Sequence, residues 1–223
     1  NGGTDKVGIG TNSPNTIFTT SSASEAVGVS AQTATTGSFI GFKDATSTNW
    51  YYNHIGAVGD NLKFTTGGSE KMRIDSTGAV TMPSQPAFLV QHSATQSNIS
   101  NGGGHVTVAF DTERFDQNAD FASNTFTAPV TGRYQLNLTL RVNALDTSAN
   151  YYQVFFNTSN RGYYITHDPN YTADLNYHQF SFSVLADMDA NDTAYVSIVQ
   201  SGGTAQTDVL GGGDSSFSGY LVA

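Results

Sequence analysis

The run Arg133-Tyr134-Gln135-Leu136-Asn137-Leu138-Thr139-Leu140-Arg141-Val142 alternates polar and apolar residues along its whole length. A strand turns successive side chains to opposite faces, so this period of two predicts a strand with one buried face. His178, Phe180, Phe182 and Val184 repeat the alternation, and segments 106–110, 152–156, 195–199 and 217–222 are rich in aromatic and β-branched residues. Turn chemistry separates them: Asn101-Gly102, Thr131-Gly132, Asn160-Arg161-Gly162, Gly202-Gly203 and Gly211-Gly212-Gly213. No stretch carries a sustained helical period with caps. Short, evenly spaced strands divided by turns predict an all-β protein built as an antiparallel sandwich or jelly roll.

Composition narrows what such a chain can do. Of 223 residues, 12% are charged, about half the ~25% usual in soluble domains, yet 12% are aromatic, enough to build a core. The absence of cysteine removes disulfides, thiolate chemistry and cysteine-ligated zinc or iron-sulfur sites. With 9 basic against 18 acidic residues and a net charge of -9, no basic cluster exists to bind nucleic acid or an anionic membrane. Apolar runs such as Ala87-Phe88-Leu89-Val90 fall far short of a membrane-spanning helix. Asn1 in place of an initiator methionine points to a chain processed or excised from a longer one.

Texture changes near Pro83-Ser84-Gln85-Pro86, which reads as a linker. Before it, short apolar pieces such as Val7-Gly8-Ile9-Gly10 and Ser38-Phe39-Ile40-Gly41-Phe42 sit in Gly/Ser/Thr/Asn-rich sequence. Leu62 and Phe64 alternate toward Thr66-Gly67-Gly68-Ser69, and Met72 and Ile74 alternate away from it, the pattern of a hairpin with one apolar face. GTDKVGIGTNSP at 3–14 and STGAVTMPSQP at 76–86 place a glycine, an apolar pair and a proline in the same order, as an internal repeat does.

Two motifs after the linker belong together: Phe126-Thr127-Ala128-Pro129-Val130-Thr131-Gly132-Arg133-Tyr134, and the closing Phe217-Ser218-Gly219-Tyr220-Leu221. They resemble the F-x-A/C-P-x-x-G-x-Y and F-S-G-x-L motifs of the globular head of complement C1q and its tumour-necrosis-factor-like relatives. The resemblance covers residues 86–223 and implies a ten-strand jelly-roll trimer. In it Phe126, Tyr134 and Phe217 supply core rings, Pro129 and Gly132 turn the chain into the long strand, and Gly219 and Tyr220 complete the second motif. Gly132 is expected to resist substitution if it holds positive φ.

In place of a collagen stalk, VGIGTNSP, GSFIGFKDA and the run GAVGDNLKFTTGGSEKMRIDSTGAV resemble repeats of bacteriophage tail fibres and related virion fibres. That likeness implies a trimeric β-structured shaft at 1–85 carrying the head at 86–223. Segments too thin to bury their own faces agree with it, because they become stable when chains share an axis.

Several motifs have plainer explanations than chemistry. Asp187-Met188-Asp189-Ala190-Asn191-Asp192 has oxygen ligands but lacks the Gly and distal Glu of a calcium loop, and reads as a polar turn. His167-Asp168 pairs an imidazole with a carboxylate without an identifiable nucleophile. His54, His92, His105 and His178 show no metal-ligand spacing. Glu113, Asp116 and Asp120 are the nearest acid cluster and read as a solvated connection before the Phe126 strand. No catalytic residue, metal site or cofactor is expected. Among aromatics, Trp50-Tyr51-Tyr52 and Tyr163-Tyr164 must split between faces, leaving one of each adjacent pair for contact with a sugar.

The expected function is the distal part of a homotrimeric phage fibre, extracellular on the virion. Its N-terminal end meets other virion proteins, and its head recognises a host cell-surface receptor, glycan or protein. The alternative is a capsid decoration or connector fibre without receptor binding. If both head termini lie at the base, counting antiparallel strands backward puts loops 143–150, 167–175 and 201–214 at the tip and the 187–192 turn at the base. The tip then presents Asp146, Asn150, His167, Asp168, Asn170, Tyr171 and Asp174, an aromatic platform among carboxylate and amide acceptors suited to hydroxyl-rich ligands.

Overall fold

In the computed structural model, which describes residues 7–9, 18–20, 37–42, 45–46 and 52–223, the alternating run at 133–142 lies within one long strand. The chain forms two compact units, Asn1–Met82 and Pro83–Ala223. In the first, β1 (Val7–Ile9) and β2 (Phe18–Thr20) pair in parallel. The strands β3 (Ser38–Gly41), β4 (His54–Val58), β5 (Asn61–Thr66), β6 (Ser69–Ile74) and β7 (Val80–Thr81) follow one another as an antiparallel meander. The hairpin expected at 62–74 is β5 and β6, joined through Gly67 and Gly68, both at positive φ. Most of the 3–14 repeat, together with Trp50 and Tyr51, lies outside the described residues.

The second unit runs through β8 (Ala87–Gln91), β9 (Val106–Thr107), β10 (Thr112–Asp116), β11 (Phe121–Ala122), β12 (Thr125–Thr127) and β13 (Gly132–Leu145). It continues with β14 (Tyr151–Thr158), β15 (Gly162–His167), β16 (Leu175–Met188), β17 (Thr193–Ser201), β18 (Asp208–Val209) and β19 (Ser216–Leu221). One sheet has the order β10-β8-β19-β13-β16 with β18 also on β13; the other has β11-β12-β17-β14-β15 with β9 also on β17. Every pairing is antiparallel and the chain passes repeatedly between the sheets, which makes the unit a jelly roll.

The alternation read at 133–142 fixes the inner face. Tyr134, Leu136, Leu138, Leu140 and Val142 are buried, while Gln135, Asn137, Thr139 and Arg141 are not. From the facing sheet, Phe126, Tyr152, Val154, Phe156, Val196 and Ile198 fill the space between. Rings form its centre: Phe88 stacks on Phe126 at 4.7 Å and meets Phe217 edge-on at 4.9 Å. The Tyr134 hydroxyl donates to the Val130 carbonyl at 2.8 Å, so the buried ring keeps its polar end satisfied.

Gly132 and residues 112–116 depart from expectation, and Tyr220 takes a place that the motif did not specify. Gly132 is not at positive φ; a Cβ there would lie 2.6 Å from both the Ala223 carbonyl oxygen and Leu221 Cδ1, so close approach of the last residues is what requires glycine. Tyr220 turns its ring to the outer face of its sheet and is exposed, whereas Gly219 is buried in its place. Residues 112–116, expected to be a connection, form the edge strand β10.

The Leu221 N–H donates to the Pro86 carbonyl at 3.1 Å, and the Arg133 N–H donates to that of Ala223 at 2.7 Å. Both ends of this unit therefore meet at one end of the sandwich, the basal end. From it β13 runs to Leu145, paired with Leu175 at the opposite, distal end. Loops 146–150, 168–174 and 202–215 are consequently distal, and the 189–192 turn is basal.

Candidate functional site

All seven residues expected at the tip lie on the distal loops or at the strand end that enters them, but they do different work. Asp146 is buried, with 3% of its surface exposed. Its Oδ1 accepts from Ser148 N–H at 2.8 Å and from the Ser148 hydroxyl at 2.6 Å, and its Oδ2 accepts from Thr204 N–H. Burial works to raise its pKa, and the bonds from Ser148 and Thr204 outweigh it, holding the carboxyl below the usual range. An outward-facing acceptor was expected here. The carboxylate instead faces inward, because an Asp followed two residues later by Ser closes a local turn on itself.

Asp174 is exposed yet also engaged. Its Oδ1 accepts from Thr147 N–H at 2.9 Å and the Thr147 hydroxyl at 2.8 Å, and its Oδ2 accepts from Gln206 Nε2 at 2.7 Å. These bonds, the Thr147 N–H first, lower its pKa. Asp146 and Asp174 thus tie loop 146–150 to both neighbouring distal loops. Beneath them the Tyr152 and Thr207 hydroxyls share a 2.7 Å hydrogen bond, and Tyr152 accepts from Asp146 N–H at 3.0 Å. Gly202 and Gly203, both at positive φ, pass so close to Asn150 and Asp146 that neither site has room for a Cβ. Asn101 Nδ2 donates to the Gly203 carbonyl at 2.5 Å, joining the 92–105 segment to the same assembly.

The remaining candidates form the accessible surface. Asn150, Asp168, Asn170 and Tyr171 are exposed, and His167 is half-buried. Tyr171 and His167 share a 3.2 Å hydrogen bond between the phenol oxygen and Nε2, which sets the aromatic ring beside the imidazole. Burial lowers the His167 pKa, with Asp168 opposing. His178 packs on His167 and is lowered by burial first and by that neighbour second. Thr147, Thr204 and Gln206 were missed by sequence reasoning, since isolated polar residues in glycine-flanked loops carry no spacing signal. The Gly202-Gly203 pair was the readable trace of their packing.

Elsewhere the structure sorts the other motifs. Asp189 N–H donates to Asp192 Oδ2 at 2.8 Å and Asp192 N–H to the Asp189 carbonyl at 3.0 Å, the closed polar turn expected. Asp187 instead binds Arg161 at 2.8 Å and the Tyr163 hydroxyl at 3.1 Å. Asp116 accepts from Asp120 N–H at 3.1 Å and Phe121 N–H at 2.8 Å, and burial followed by repulsion from Asp116 pushes the Asp120 carboxyl up. Glu113 is exposed on β10. Tyr163 packs toward the core while Tyr164 lies exposed against Phe155 at 4.8 Å. Among the described residues, no group of three or more His, Asp or Glu side chains is placed to hold a metal ion. No helix among them is long and apolar enough to cross a membrane. Two depressions of about 270 and 310 Å³ open beside Arg133 and Glu113 respectively, and neither includes a tip residue.

Chemically, the tip is a hydrogen-bonded platform whose fixed acceptors are used internally and whose outer groups are neutral amides, one carboxylate and one phenol. No curated protein sequence matches the chain. Among solved structures, the globular domain of a zebrafish complement 1qA protein is 15% identical, with a TM-score of 0.46 over 62% of this chain and 98% of that one. Murine APRIL is 9% identical, with a TM-score of 0.43 over 62% of this chain and 99% of that one. The family profile of the C1q domain matches residues 87–222, the whole span from β8 to β19, and the chain belongs to the C1q domain family.

Proposed function

We propose that the chain is a non-enzymatic binding protein, the distal part of a homotrimeric virion fibre. Residues 1–85 form its shaft, and the C1q head at 86–223 recognises a host cell-surface glycan or protein. The observation that carries this reading is the C1q membership of residues 87–222, since domains of this kind typically act as trimeric heads that bind ligands or receptors. The exposed Asn150, Asp168, Asn170 and Tyr171, held on an internally bonded platform, support the distal loops as the contact surface. The viral context is supported by the resemblance of residues 5–82 to fibre repeats. A connector without receptor binding is the second reading, favoured by the commitment of Asp146 and Asp174 to the tip itself.

The test uses the full chain. Antibodies against it should label virion fibres in electron micrographs, and the purified protein should block adsorption to host cells. Replacing His167, Asp168 and Tyr171 together with alanine should abolish that block while leaving the oligomer assembled. Full inhibition by the triple variant would remove this surface as the receptor site, and labelled fibres without inhibition by the wild-type chain would favour the connector.

A further inference from the structure

The five-stranded meander of the first unit has a face that its own described residues leave open. Residues directly opposite in a ladder share a face, so the register sorts the side chains. Ile40 pairs with Ile55, Ile55 with Phe64 and Phe64 with Met72; Ala57 pairs with Leu62, Leu62 with Ile74 and Ile74 with Val80. All of them lie on one side. Lys63 and Arg73, paired with each other, lie on the other side, where Glu70 binds Lys63 at 3.4 Å and Arg73 at 2.6 Å.

The apolar side is only partly covered. Ile40, Ile55, Leu62 and Val80 are between 36% and 53% exposed, and the alternation carries Phe42 (54%) and Met82 (47%) onto the same side. Thr65 is the only buried residue among the described residues of this unit. A sheet with one apolar face needs a second layer to be stable. Several large apolar side chains exposed on one side of a single sheet mark an interaction surface rather than a solvent-facing layer. None of the paired residues on this side is charged, and Lys71, the extra residue of the bulge beside Met72, is exposed, so copies of the chain can bring the paired positions together while its ammonium stays in water.

We infer that this face is a self-association surface, covered by the same face of other copies of the chain. The inference deepens the homotrimer reading by naming an interface outside the C1q domain.

The chain has no cysteine, so one introduced thiol reports on one position. Leu62→Cys sits within the face, and Thr81→Cys, whose parent residue pairs with Arg73 on the charged side, is the exposed control. Sedimentation of both full-length variants establishes assembly independently of the probe. In assembled protein, Leu62→Cys should react with a monofunctional maleimide at least tenfold more slowly than Thr81→Cys. A short bismaleimide should join Leu62→Cys chains into covalent dimers even at high dilution, and should not join Thr81→Cys chains. Assembly with equal labelling rates and no cross-link overturns this interface and leaves the homotrimer reading standing. Slow labelling without cross-link means that the chain's own residues cover the face, which also overturns it. Sedimentation as single chains overturns both.

Discussion

The imidazoles of His167 and His178 lie against each other with ring centroids 4.5 Å apart and planes 33° from parallel. His167 ends β15 and His178 lies near the start of β16, so the pair bridges the edges of the two sheets at the distal end. Phe180 closes on both rings edge-on, at 5.7 Å and 4.6 Å. Burial lowers both pKa values, each imidazole being easier to protonate in the unfolded chain, where its value is about 6.5. The stabilisation is therefore complete above about pH 6.5 and is lost as pH falls through the lowered folded values. Thermal unfolding followed from pH 7.5 to 5 should show a falling midpoint in the wild type and a shallower fall in His178→Phe. Identical pH profiles would exclude the pair as the cause.

Leu138→Ala should destabilise the C1q domain by about 2–5 kcal/mol, because the side chain is buried on the inner face of β13 and its removal leaves a cavity. Denaturant unfolding measures this directly. Thr139→Ala, one position along and on the outer face, should change stability by less than about 0.5 kcal/mol.

Glycines of the same chain should respond unequally to alanine. At Gly219 a Cβ would lie 2.8 Å from both Leu136 Cδ2 and Phe88 Cε1, in a packed core, so overpacking should cost about 1–3 kcal/mol. At Gly104 nothing lies within 4 Å, and Gly104→Ala should leave the melting temperature unchanged.

Asp146→Ala should leave the Thr204 and Ser148 amides without their acceptor and cost about 1–3 kcal/mol. Hydrogen exchange should quicken in 146–150 and 202–206 together, since the carboxylate joins the two loops. Protection unchanged in 202–206 would mean that the glycine packing alone holds that loop.

The long strands were legible because one face is buried and the other wet: the alternation at 133–142 and again at 178–184 records this directly, whereas their pairing with each other is seen only in the structure. The tip was legible in position, because antiparallel alternation sets which end each loop occupies. It was not legible in chemistry. Asp146 and Asn150 look alike as loop acceptors; the Asp146–Ser148 turn is local, but the approach of Thr204 that completes the inward bonding comes from far along the chain. The edge strand β10 escaped notice because Glu113, Arg114 and Phe115 are all exposed and leave no alternation to read. Gly132 lacks the positive φ that local sequence suggested, and the neighbour that would exclude a side chain there, Ala223, lies far along the chain.

The bonds from Leu221 to Pro86 and from Arg133 to Ala223 hold the two ends of the C1q unit side by side. A module closed in this way behaves as a cassette: it can be spliced into a surface loop of an unrelated host protein through two short, neighbouring joints without stretching either partner. The largely exposed 168–174 loop would then stand off the host at the far end, on the rigid platform formed by the loops beside it.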